Sequence, residues 1–281
     1  MRFASVLLCL VFPAAAAAQH KLEAKHGAAG DRTQVKIDSV IDLSITKKDS
    51  DGEKTTNFTL VKQEAYRQTV KTAENGAGVT LVVECTNSEL QRSSQGEILK
   101  GKTELHGRSF LVTRLVGQAA KVEMSDGSPA AIAGVDSVGG WEDYAKLLPG
   151  KEVAEKGQWL IEKDVSALVW IANLAETKSA QIVATLDKVD GTRATIQFEG
   201  TVEGKTKDGS MVKLSIPKGK GEMVFDTATG RPVSITVAGE FEMVKDVIHV
   251  YQKPGTPVKI PEKVGEIRTK TSKLEVKLTF E

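Results

Sequence analysis

The sequence predicts a mainly β protein: an antiparallel meander forming an open or half β-barrel, with one or two short helices in its central segment. Three observations lead there. Apolar and polar residues alternate along most of the chain, the two-residue period of strands with one dry and one wet face. Turn-forming pairs, Asp51-Gly52, Asn75-Gly76, Asp126-Gly127 and Asp190-Gly191, separate the runs. The prolines beyond residue 18 are expected to flank the runs, because proline removes a ladder donor.

Taken in order, the chain begins as a secretory signal peptide would. Arg2 precedes the apolar run Phe3 to Phe12, and Ala14 to Ala18 supply a small-residue cleavage site. Cleavage is expected between Ala18 and Gln19. The run falls short of the roughly 20 apolar residues of a membrane span, and nothing later approaches that length. The mature chain is therefore expected to be exported, periplasmic or extracellular, without a transmembrane anchor. Residues 19–32 read as a flexible N-terminal segment, and 33–281 as a single β-rich domain with a central helical or loop insert at about 128–177.

Within that domain Val35, Ile37, Ile41, Leu43 and Ile45 share one strand face, and Phe58, Leu60, Tyr66 and Val70 are in phase on the next run. Runs at 78–87, 96–105, 108–117 and 119–125 follow. The pattern resumes at 179–189, 192–203, 210–216, 221–226, 232–243 and 267–280, with residues 253–265 as a Pro/Lys-rich connection. Trp141 to Leu148 has the length of two helical turns before Pro149-Gly150. Asp164 suits an N-cap for 165–175, although that apolar stretch also reads as a buried strand.

Charge excludes some functions. Loss of Arg2 with the leader takes the 38 Lys and Arg to 37, equal to the 37 Asp and Glu. A neutral chain lacks the basic excess of a nucleic-acid binder or a polybasic membrane-surface protein. The lysines at 205, 207, 213, 218 and 220 read as solvated turns.

Catalytic motifs are missing. No G-x-S-x-G, Walker loop or H-E-x-x-H occurs, and Gly134 to Gly140 does not fit a dinucleotide fingerprint. The chain is therefore expected not to be an enzyme and to need no cofactor. His20, His26, His106 and His249 stand outside metal-ligand spacings, so no metal site is expected. Cleavage after Ala17 would expose Ala18-Gln19-His20, a square-planar copper or nickel arrangement that cleavage after Ala18 destroys. Cys85, the one cysteine left after export, falls on an apolar strand face and reads as a buried structural thiol. Glu142, Asp143 and Asp164 read as helix-face charges and a cap. Asn57-Phe58-Thr59 is a glycosylation sequon inside a predicted strand.

Aromatic placement is the most informative feature. Trp141, Trp159 and Trp170 all fall in the central segment. They either plug the concave face of the sheet or line a ligand pocket there, and are the candidate ligand-binding residues.

Residues 147–159 (LLPGKEVAEKGQW) and 219–239 (GKGEMVFDTATGRPVSITVAG) resemble two segments of uncharacterised exported β-rich proteins of planctomycete-like bacteria. In the second, the resemblance implies packing for Phe225 and a turn at Asp226, Thr229 and Gly230. The meander also looks similar, at the level of fold, to periplasmic lipoprotein-carrier half-barrels that cradle acyl chains. These readings imply a non-catalytic binder of an apolar or amphiphilic ligand or of an envelope component. A structural or interaction protein of the envelope is the alternative, and a hydrolase of envelope polymers the third. A lipid-like ligand or an envelope protein is the expected partner; the sequence sets no oligomeric state.

Overall fold

A computed structural model describes residues 18–281 except 26, 75–77, 116–119, 136–137, 163–173, 207–208 and 253–258. The signal peptide, the Asn75-Gly76 turn, Asp164, Trp170 and the expected helix at 165–175 lie outside the described residues or, for the last, almost wholly so.

The expected strands are present; most are longer than their sequence runs, whereas those expected at 96–105, 108–117 and 119–125 are shorter in their described residues. In chain order they are β1 (Gln19–Lys21), β2 (Arg32–Asp49), β3 (Gly52–Glu74), β4 (Gly78–Ser94), β5 (Glu97–Lys102), β6 (Ser109–Leu115), β7 (Lys121–Met124), β8 (Glu152–Ala154), β9 (Gln158–Ile161), β10 (Leu174–Asp190), β11 (Arg193–Thr206), β12 (Met211–Asp226), β13 (Arg231–Gln252) and β14 (Lys259–Phe280). One antiparallel sheet runs β7-β6-β4-β3-β2-β14-β13-β12-β11-β10-β9, with β5 paired to β4. The path ends at β7 and β9 without joining them, so the sheet is an open half-barrel and not a closed one.

Two expectations about boundaries are corrected. Residues 259–265 belong to β14 and pair with β13 as far as Gln252↔Lys259. Three prolines also sit inside strands: Pro217 in an unpaired stretch of β12, Pro232 at a register shift, and Pro261 in the β13–β14 ribbon. These are the irregular or edge positions where a missing N–H costs least.

Residues 19–32, read from the sequence as a flexible segment, include several contacts with the rest of the fold. β1 pairs with β8, Leu22 is buried, and the Lys25 N–H donates to Gly230 O at 2.9 Å.

The sheet curves through bulges and close-approach glycines, devices that bend a strand without steric cost. Gly200 of β11 has φ +140°, and a Cβ there would meet Gln181 O at 1.9 Å. On β13, a Cβ at Gly239 would meet Ser215 O at 2.2 Å. Register shifts fall beside both glycines and between Thr271 and Lys273 of β14. There the Thr271 hydroxyl accepts the Phe241 N–H at 2.6 Å, replacing a ladder partner.

The central insert follows from this topology. A chain leaving the edge strand β7 must reach the opposite edge strand β9. It does so across the inner face through a 3₁₀ helix, Gly140–Leu147. Trp141 packs on Tyr66 of β3 at 4.7 Å between ring centroids, and Tyr144 faces Phe225 of β12 at 6.5 Å. Trp141, Tyr144 and Leu147 thus join residues from both halves of the sheet in one core. Large aromatics supply that core with much of its buried area.

Candidate functional site: the open part of the inner face

Strand length explains why the inner face is only partly filled. An 18-residue strand such as β2 extends about 60 Å. An eight-residue 3₁₀ helix covers about 16 Å. Below the helix Val35, Ile37, Tyr66, Ile235 and Leu278 are all buried. Further up the same face the pattern changes.

The unbroken β2–β3 register carries the inner face upward from Ile37. Ile41 lies opposite Leu60, Leu43 opposite Phe58, and Ile45 opposite Thr56. All are partly exposed. On β4, Leu90 lies opposite Lys62 and Arg92 opposite Leu60; on β5, Leu99 lies opposite Arg92. Leu90 is 38% and Leu99 67% exposed. On the far side Phe241 and Met243 of β13 are partly exposed, whereas Leu214 and Val212 of β12 beside them are buried. The unfilled patch is therefore centred on β2 to β5. Its apolar side chains are bounded by Lys62 below and by the Lys47–Lys54 cross-strand pair above. The Arg92 guanidinium stands 4.0 Å over the Phe58 ring, a favourable cation–π contact.

Of the three tryptophans, two are described and both are buried in the core. Trp141 donates its indole N–H to Gln68 Oε1 at 3.0 Å, and Trp159 donates to Leu147 O at 3.0 Å. Trp170 lies outside the described residues. The open patch uses different residues, which the sequence marks only as a dry strand face. The available signal is the length of that dry run, which continues past what one short insert can cover.

The central acids differ from the expected solvated charges. Glu142 has a side chain 4% exposed. Its carboxylate accepts from Gln68 Nε2 at 2.6 Å and from Arg231 at 3.3 Å, while Arg231 also donates to Thr33 Oγ1 at 2.7 Å. Asp143 pairs with Arg114. A second buried acid, Glu64, accepts from Tyr66 OH at 2.8 Å, Ser88 Oγ at 3.2 Å and Lys62 Nζ at 3.0 Å. Among the described residues no buried side-chain nitrogen or oxygen lacks a partner. Fully satisfied groups of this kind fix the core.

Burial raises the Tyr66 hydroxyl far above the usual phenol range, with nearby Glu64 adding to the effect. Burial also pushes the Cys85 thiol up to about 11. A thiol held protonated is a poor nucleophile and metal ligand. Among the described residues no three of His, Cys, Asp and Glu converge as a metal would require.

A shallow cleft of about 320 Å³ lies between β2, β3 and the β4–β5 turn, lined in part by Asp42, Ser44, Asn57, Thr59 and Ser93. These residues alternate with Leu43 and Phe58 and so face outward. Thr59 donates to Asp42 at 2.7 Å and Ser44 donates to Asn57. The sequon asparagine is thus part of a hydrogen-bonded cross-strand ladder.

No family model matches the chain, and no curated protein matches it. A solved structure from Vibrio parahaemolyticus, described provisionally as an outer membrane lipoprotein-sorting protein domain, is similar at 12% identity. The match covers 84% of each chain, with a TM-score of 0.14. At that TM-score the likeness carries no weight for fold or function. The expected tie to planctomycete-like exported proteins gains no support from these comparisons.

Proposed function

We propose that this is an exported, non-catalytic protein that binds an apolar or amphiphilic ligand on the open part of the inner face. One observation carries the reading. Ile41, Leu43, Ile45, Phe58 and Leu60 lie on the same sheet face as the core yet stay partly exposed. A contiguous apolar patch rimmed by charge marks a binding surface more often than a passive one. The paired state of Glu64, Glu142 and Asp143 favours binding over hydrolysis, which needs two carboxyl groups facing a cleft. Arg2 and the apolar run Phe3 to Phe12, read as a secretory leader, support export.

The test is calorimetric titration with octaethylene glycol monododecyl ether below its micellar concentration. Saturable micromolar binding is expected, weakened at least tenfold in Leu43→Glu with the thermal midpoint nearly unchanged. An intact fold that binds nothing would favour the envelope-interaction reading instead. The β13–β14 ribbon is the surface for that alternative: its outer ladders stop at Val244 and Glu266, while the ribbon continues to Gln252 and Lys259. Ile248 is 57% exposed there, and unpaired strand edges invite partners.

A further inference from the structure

We infer that the ligand carries an anionic head group on its acyl or alkyl chain, and that Arg92 holds that group; this rests on the reading above. The register fixes which charges share the inner face with the apolar patch. Lys47, Lys54, Lys62, Arg92 and Lys245 bring positive charge, and Asp49, Glu64 and Glu97 negative.

Pairing removes most of these from consideration. Lys62 is bound to Glu64 at 3.0 Å and Lys47 to Asp49 at 2.7 Å. Glu97 lies on β5, outside β4 and beyond the Arg92 row. Lys245 lies beyond β14, on the far side of the patch from β3 and β4. Beside the apolar track, Arg92 and Lys54 remain as cations without a carboxylate partner among the described residues.

Their settings differ from those of ordinary surface cations. Lys54 stands directly across from Lys47, a like-charge pair that a sheet normally avoids. Arg92 is exposed yet sits 4.0 Å above Phe58, so its fork is held over the apolar track between Leu60 and Leu99. A guanidinium so placed matches a phosphate or carboxylate in two-point geometry while the chain lies along Leu60, Phe58, Leu43 and Ile45. Lys54 adds unpaired positive charge at the mouth, which draws an anion inward. A neutral amphiphile would use the apolar track alone. A cationic one would meet Arg92 unfavourably.

The experiment compares three probes of equal chain length below their micellar concentrations: monododecyl phosphate, octaethylene glycol monododecyl ether and dodecyltrimethylammonium. At low salt the phosphate is expected to bind about tenfold tighter than the ether, the ammonium weakest, with the phosphate's advantage shrinking as salt rises. Arg92→Gln should bring the phosphate to the affinity that the same variant shows for the ether. Phosphate binding no tighter than ether in the unaltered protein overturns the inference and leaves the proposed function standing. A phosphate preference that survives Arg92→Gln overturns the role of Arg92. Failure of all three probes to bind removes both.

Discussion

Cys85 shows how environment decides the chemistry of a single residue. Its thiol packs within the core and donates to Asn87 O at 3.2 Å. Because burial raises its pKa from 9.0 to about 11, the unfolded chain gives up the proton first as pH rises. Stability from this group is complete below pH 9 and falls between there and about 11, at up to ~1.4 kcal/mol per pH unit. Native protein at pH 8 is expected to react with Ellman's reagent at least a hundredfold more slowly than urea-unfolded protein. Rapid native labelling would contradict the buried placement. The placement itself was legible from alternation, since Val79, Leu81, Val83 and Cys85 share one face. Glu142 was not: nothing in its neighbours along the chain announces Gln68 or Arg231, which lie 74 and 89 residues away.

Strands were legible from their period, their lengths much less so. Residues 210–216 and 221–226 read as two runs because Pro217 to Lys220 break the alternation. In the fold they belong to one strand whose register jumps from Ser215 to Gly221 against β13. Cross-strand hydrogen bonds on both sides hold it together, and a local pattern does not record them. The glycines separate in the same way. Gly191 at the β10–β11 turn has φ +56° and open space around it, whereas Gly200 has backbone within 2 Å of where a Cβ would be. Gly191→Ala is expected to cost about 1 kcal/mol from its backbone angle alone. Gly200→Ala, strained and clashing, should cost about 3 kcal/mol or more. Urea denaturation of the two variants would measure the difference, and equal costs would argue against Gly200 as a bend in the sheet.

At the scale of the molecule, the chain's two halves meet where β14 lies between β13 and β2. Phe280 thereby pairs with Val35 across almost the whole sequence. Below the 3₁₀ helix the sheet packs on a dense core, and above it on an open patch. Local stability should follow that division. Hydrogen exchange is expected to be slowest at Ile37 and Ile182 to Leu186. It should be at least about a hundredfold faster at Val247 and Ile248, in the ribbon with unpaired edges. Uniform protection along β13 would count against the division.

The sequence by itself determined the strand class, the faces, the hairpin turns and the apolar character of the central insert. Each of these depends on residues within a few positions of one another, where side-chain alternation and turn chemistry act. The tertiary structure decided which part of the dry face is filled. The tryptophans that looked equally suited to a pocket or a plug are, at 141 and 159, buried against Gln68 and Leu147. The apolar residues left partly exposed are Ile41, Leu43, Phe58 and Leu60, because a helix of about 16 Å cannot cover strands of about 60 Å. That comparison requires knowing that the insert crosses the sheet, and crossing is a property of the sheet's two open edges.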